Sequence, residues 1–370
     1  MKILCAKTQL MAGVNTVSKA VSYKTTMDIL QCILIEAYDG KIRLTANDTE
    51  LGIETVIDGQ ILEQGQIALE AKIFSEIIKK SPDSEIFIET ETNGKTNIEC
   101  EQIHCSIMGK AGDDFTHLPE ISRENMVAIS QFDLKETINQ TIFSISDNEN
   151  NKLMTGELLK VTGDTFSLTS LDGHRISVRR VTLSESYPDI EVIVPGKSLM
   201  EVSKILSGEA EEQVSLCITD KHIMFSFDRT RVVTRLLKGK FYNIEQMLST
   251  DYETKITVNR MDFLRCLDRS SLFTRESDKK PIILRMESDR MEIMISSQIG
   301  SMQEQLAITK EGKDLVIGFN PRFLSDALRS IDEEEVSVYL INSIAPCTFR
   351  DEDRKYLYLI LPINVNNADY

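Results

Sequence analysis

Two thiols and an imidazole, Cys100, His104 and Cys105, fall within six residues, and these are metal-ligating types. Ile98, Ile103 and Ile107 lie among them as in a pair of strands, and none of the seven cysteines forms a CxxC pair. Buried, reduced thiols account for the pattern without a zinc site or a disulfide framework. Asp172, His174 and Ser177 hold the side-chain types of a hydrolase. Asp-x-His on a strand, however, points both side chains to one face and supplies no activated nucleophile. Asp113 and Asp114 follow Gly112 and read as a solvated turn rather than a cation site. No G-x-S-x-G, HExxH or phosphate-loop pattern occurs, and the four histidines are not paired at ligand spacing. The expectation is no catalytic residue, no metal and no cofactor.

The chemistry that remains is charge. The 370 residues hold 42 Lys plus Arg against 58 Asp plus Glu, a formal net charge of -16. As an average this opposes nucleic-acid binding, which needs cations on phosphates, but a binding surface is local. Six stretches with helical apolar spacing, roughly 7–24, 72–82, 134–145, 197–207, 260–275 and 322–331, contain 15 basic and 6 acidic residues. The rest of the chain contains 27 basic and 52 acidic residues. Glu is as good a helix former as Lys, so propensity does not account for the split, and the helices carry a candidate phosphate-facing surface. Few aromatics interleave with these cations and Trp is absent, which disfavours base stacking.

The elements that position the cations recur. Lys72, Lys197 and Arg322 each follow an apolar strand and open a helical stretch, at two equal intervals of 125 residues. Leu44, Leu168 and Ile293 hold matching places in hairpin-like stretches. Each third reads as helix, strands, helix, strands. The expected fold is α+β, three tandem similar domains at 1–122, 127–248 and 253–370, with antiparallel sheets and helices packed on one face. No apolar run nears the roughly 18 residues of a membrane helix, and residues 1–10 lack signal-peptide character, so the location expected is cytoplasmic, with no membrane partner.

This pattern resembles the β subunit of bacterial DNA polymerase III, the sliding clamps. The resemblance covers the whole chain and is carried by "SLDGHRISV" from Ser170, "VIVPGKSLMEVSKIL" from Val192, "TRLLKGKFYNIEQML" from Thr234, "IGFNPRFLSDAL" from Ile317 and "YLYLILPINV" from Tyr356. It implies a DNA-clamp fold that closes as a head-to-tail homodimer into a ring, helices inside and sheets outside. Such a ring encircles double-stranded DNA without reading its sequence. It tethers the clamp loader, the replicative DNA polymerase and repair proteins through short peptide motifs. A ring-shaped protein scaffold that does not encircle DNA is the alternative.

By the same resemblance, a partner-peptide pocket comprises Met154, Leu171, Gly173, His174, Arg175, Ile176, Tyr242, Met247, Leu359, Leu361, Pro362, Ile363 and Asn364, with Pro346 at its edge. Leu171, Tyr242, Gln246 and Asn364 depart from common family residues, which bears on motif preference rather than on the pocket. Lys24 and Asn148 are implied DNA-contacting loop residues, and Lys79, Lys80, Lys197, Lys204, Arg265, Arg269 and Arg329 are candidate lining cations. The implied dimer interface uses the strand carrying His104, Ser106 and Met108, the apolar anchors Leu272 and Phe273, and Glu304. The acidic run of some relatives is thinned here to Glu304, so ion pairing across that interface is expected to be weaker.

Overall fold

The computed structural model describes residues 1–122, 126–248, 251–273 and 280–365. The terminal NNADY falls outside them. Among the described residues, six α-helices alternate with antiparallel strands: α1 (Lys7–Val17), α2 (Ala71–Lys80), α3 (Gln131–Asn139), α4 (Gly196–Ile205), α5 (Arg260–Ser270) and α6 (Pro321–Arg329). Local chemistry sets several ends. Asn320 caps α6 by accepting from Arg322 N at 3.0 Å, and Pro321 occupies the first turn, where no backbone donor is needed. Asn259 caps α5 in the same way through Asp262 N at 3.0 Å. The helices are shorter than the apolar spacing suggests, because their last turns tighten into 3₁₀ segments such as Ser18–Ala20 and Ile142–Ser144.

The chain forms two compact units, and neither ends where a repeat ends. The first comprises Met1–Phe132 and Lys204–Leu236, the second Asp133–Ser203 and Leu237–Tyr370. The first holds a five-stranded and an eight-stranded sheet, the second a seven-stranded and a four-stranded sheet. In the first unit, strand Thr230–Arg235 of the second repeat pairs with strand Leu51–Ile57 of the first repeat. In the second unit, strand Tyr356–Ile360 of the third repeat pairs with 175–179 of the second. A sheet therefore runs unbroken from one repeat into the next, and the cores follow the sheets.

Strand alternation splits the second unit's apolar residues into two clusters. Tyr356, Tyr358 and Ile360 point into the main core with Phe263, Phe319 and Phe349. Leu357 and Leu359 point to the opposite face. Leu44, Leu168 and Ile293 are fully buried, as their repeated placement requires.

Candidate functional site

The second apolar cluster lies on the face of the seven-stranded sheet opposite the main core and forms the floor of the candidate groove. Its floor is Leu171, Ile176, Val178, Ile193, Leu357 and Leu359, and Phe241 and Ile244 close one side. Met154, Leu153, Leu158, Leu237 and Leu248 are half-buried against it. The floor follows from two residue patterns. Ile176 and Val178 face Leu359 and Leu357 across the strand pair, so alternate residues of both strands meet on one side. The segment 241–248 then crosses over them.

The turn between the two long strands is set by Asp172, whose Oδ1 accepts from His174 N at 2.9 Å and Arg175 N at 3.1 Å. Gly173 adopts φ 90°, the left-handed region, and nothing lies within 4 Å of where its Cβ would be. The glycine serves the turn rather than a close packing contact. His174 O accepts from Leu361 N at 2.8 Å, which brings the chain after Tyr356–Ile360 back to the turn.

The implied pocket residues separate into three roles. Leu171, Ile176 and Leu359 form floor, and Met154 borders it. Tyr242, Met247 and Leu361 are exposed apolar side chains, with Asn151 Nδ2 donating to the Tyr242 hydroxyl at 2.7 Å. Pro346 and Pro362 are half-buried, and Gly173, His174 and Asn364 are exposed. Ile363 bridges Gly318, donating to its carbonyl at 2.8 Å, and so ties the chain to the four-stranded sheet.

Arg175 is 7 % exposed and faces inward rather than into the groove. Its Nε donates to Asp172 Oδ2 at 2.9 Å and its Nη1 to Asp326 Oδ2 at 2.7 Å. Nη2 reaches the carbonyl of Phe143. The guanidinium also stacks over the Phe323 ring, 4.4 Å from its centroid. It is a positioning residue that locks the turn to α6. Val178, Ile193, Phe241, Ile244 and Leu357 are floor or wall residues that the motif comparison leaves out. Period-2 spacing from Ile176 and Leu359 points to Val178 and Leu357.

The candidate lining cations are all exposed. Lys79 and Lys80 end α2, Lys197 and Lys204 lie on α4, Arg265 and Arg269 on α5, and Arg329 ends α6. Each helix buries the opposite side, as α5 does through Phe263, Leu264, Cys266 and Leu267. Most of these cations hold a carboxylate: Lys80 with Glu76 at 3.1 Å, Lys197 with Glu149 at 3.4 Å, Arg265 with Asp262 at 3.5 Å and Arg329 with Asp268 at 2.8 Å. Exposed pairs of this kind are worth about 0–1 kcal/mol and are screened by salt, so a phosphate exchanges for the carboxylate at little cost. Within the observed helices the balance is 12 basic to 7 acidic residues. The contrast with the rest of the chain persists but narrows. Lys24 and Asn148 lie exposed in loops.

Two sheet edges carry the implied dimer residues. In the first unit, Ile103–Met108 is an edge strand of the five-stranded sheet. His104, Ser106 and Met108 are exposed on it. Their neighbours Ile103 and Cys105 join Ile73 and Ile77 of α2 around a cavity of about 560 Å³. In the second unit, Ser301–Ala307 is an edge strand of the four-stranded sheet. Leu272 is 73 % exposed, and the Phe273 ring lies beside Gly300. Glu304 is engaged within the chain: Arg269 Nε donates to its Oε2 at 2.9 Å, and this bond, with the neighbouring Cys266 thiol, holds its carboxyl below the usual range.

Cys100 is buried and Cys105 half-buried, and among the described residues no group of three His, Cys, Asp or Glu is placed to hold a metal. No helix among the described residues is long and apolar enough to cross a membrane.

Comparison with known proteins places the chain in a family. The chain matches the N-terminal domain of the DNA polymerase III beta subunit over residues 1–119, its central domain over 128–243 and its C-terminal domain over 245–364. It is 33% identical to the beta sliding clamp of Bacillus subtilis, over 98% of this chain and 99% of that one. It is 32% identical to that of Staphylococcus epidermidis, over 94% and 95%. The crystal structure of a putative DNA polymerase III beta subunit from Eubacterium rectale superposes with a TM-score of 0.95 at 53% identity, covering 99% of this chain and 100% of that one. The Bacillus subtilis sliding clamp superposes equally well, at 32% identity and the same coverage. With all three domains matched in order, the chain belongs to the DNA polymerase III beta subunit family, the bacterial sliding clamps.

Proposed function

We propose that two copies of this chain close head to tail into a ring that encircles duplex DNA in the cytoplasm and tethers replication and repair proteins through short peptides seated in the groove. The groove is the observation that carries the docking part of this reading. Eight apolar side chains form a cluster separate from the main core, and Tyr242, Met247 and Leu361, close to it in the chain, are exposed. Such a surface suits a short peptide with apolar anchors and a few polar contacts at its ends.

Ring closure is supported by two unpaired sheet edges, each with apolar side chains beside it: Ile73, Ile77 and Ile103 in the first unit, Leu272 and Phe273 in the second. Edge-to-edge pairing satisfies the free backbone groups of both strands. DNA would contact the exposed helix cations, which hold phosphates without reading bases.

Fluorescence titration of a labelled decapeptide with two apolar anchor side chains tests the docking reading. Leu361→Ala together with Ile363→Ala is expected to weaken binding at least tenfold while the dimer survives in sedimentation. Unchanged affinity would refute the groove as the docking site.

A further inference from the structure

The first unit contains a position-by-position counterpart of the groove. Asp48 Oδ1 accepts from Glu50 N at 2.9 Å and Leu51 N at 2.7 Å, as Asp172 Oδ1 does from His174 N and Arg175 N. Four and six residues beyond these aspartates stand Gly52 and Glu54 in one unit, Ile176 and Val178 in the other. Gly52 faces Val233 and Glu54 faces Arg231, in the register in which Ile176 faces Leu359 and Val178 faces Leu357. The crossing segment matches too, since Leu118 lies over Gly52, where a Cβ would come within 2.0 Å of the leucine Cδ2.

The first matched pair stays apolar in both units, with Val233 packed among Met224, Leu118 and Ile121, and the second pair is opposite. Where the second unit buries Val178 and Leu357, the counterpart places a carboxylate and a guanidinium. Arg231 Nε donates to Glu54 Oε1 at 3.1 Å, and Arg43 Nε lies 3.4 Å from the same oxygen, with Arg43 Nη1 3.8 Å from Glu36 Oε2. The side chains of Glu54 and Glu36 are 14% and 13% exposed. A cleft of about 460 Å³ remains over this network, between the strands and 117–121. Cross-strand pairs fix what a sheet face offers, and an apolar ligand here would remove water from four charges already partly stripped of it.

We infer that the first-unit cleft is a charge-barred counterpart of the peptide groove, with the Glu54–Arg231 pair as the residues that exclude apolar peptides, so that one chain docks one peptide. The inference rests on the groove reading above. Two double substitutions test it, with the same labelled decapeptide titrated on the full chain. Wild type is expected to bind one peptide per chain. E54V/R231L, which removes both charges together, is expected to bind a second. M247E/L361R, which puts a charged pair on exposed positions beside the second unit's cluster, is expected to lose binding at least tenfold while its thermal melt stays cooperative.

Two peptides per wild-type chain would overturn the inference. So would a cooperatively folded E54V/R231L that still binds one, and so would an M247E/L361R that binds like wild type. The last variant keeps the test decisive if E54V/R231L fails to fold. A wild-type chain that binds no peptide would instead refute the groove reading itself.

Discussion

Arg175 draws together parts of the chain that lie far apart in sequence: Asp172 three residues before it, the Phe143 carbonyl, and Asp326 on α6. Breaking a buried, multiply paired charge leaves its partners unpaired, at a cost of about 3–5 kcal/mol. Arg175→Ala is therefore expected to lower the urea midpoint substantially, and a midpoint equal to wild type would contradict this assignment. Glu157 presents the opposite case, a fully buried carboxyl whose Oε2 accepts from the Thr141 hydroxyl at 3.2 Å. Burial pushes its pKa up to about 8, against the hydroxyl's smaller opposing effect. The folded state thus holds a proton that the unfolded chain releases near 4.3, so this group's contribution is complete below that pH and is lost as pH rises toward 8. The melting temperature of wild type should fall between pH 5 and pH 8 more than that of Glu157→Gln, and parallel profiles would count against a protonated Glu157. Neither behaviour was legible in the sequence. Arg175 is a pocket residue there by resemblance alone, its partner Asp326 is 151 residues away, and a glutamate in a strand carries no mark of its burial.

At the scale of elements the sequence was more explicit. Lys72, Lys197 and Arg322 are each the second residue of their helix, so the interval of 125 residues marks a structural repeat. Periodicity places the helices because a buried stripe must recur with the helical turn, and it leaves their ends open because final turns answer to local hydrogen bonding. The sharing of strands between repeats was not legible, since pairing between 51–55 and 230–234 is a long-range choice with no local signal. The edge strand Ile103–Met108 illustrates both sides. Its exposed residues include His104, Ser106 and Met108, yet the apolar cavity beside it is lined by Ile103 and Cys105. In the proposed head-to-tail dimer, Ile103→Asp should therefore shift the sedimenting species to monomer, because closing the edge would bury an unpaired charge. A dimer that persists at nanomolar concentration would exclude this strand from the interface.

For the whole molecule, the acidity that first argues against nucleic acid is unevenly placed. The six helices carry 12 basic and 7 acidic residues, and the rest of the chain carries 30 basic and 51 acidic. Members of this family act as non-catalytic processivity subunits of a DNA polymerase, and the chain is a sliding clamp by its match to all three family domains. Non-catalytic tethering needs no nucleophile or cofactor. It needs weak, sequence-independent phosphate contact and a closed path around the duplex. Weak contact alone would release the protein from any DNA at moderate salt, whereas closure makes retention depend on the DNA having no ends. Retention on plasmid DNA after loading measures this directly. At a salt concentration that abolishes simple electrostatic binding, the protein is expected to stay on a nicked circular plasmid and to leave once a restriction enzyme linearises it. Equal loss from the circle and the linear form would contradict encirclement.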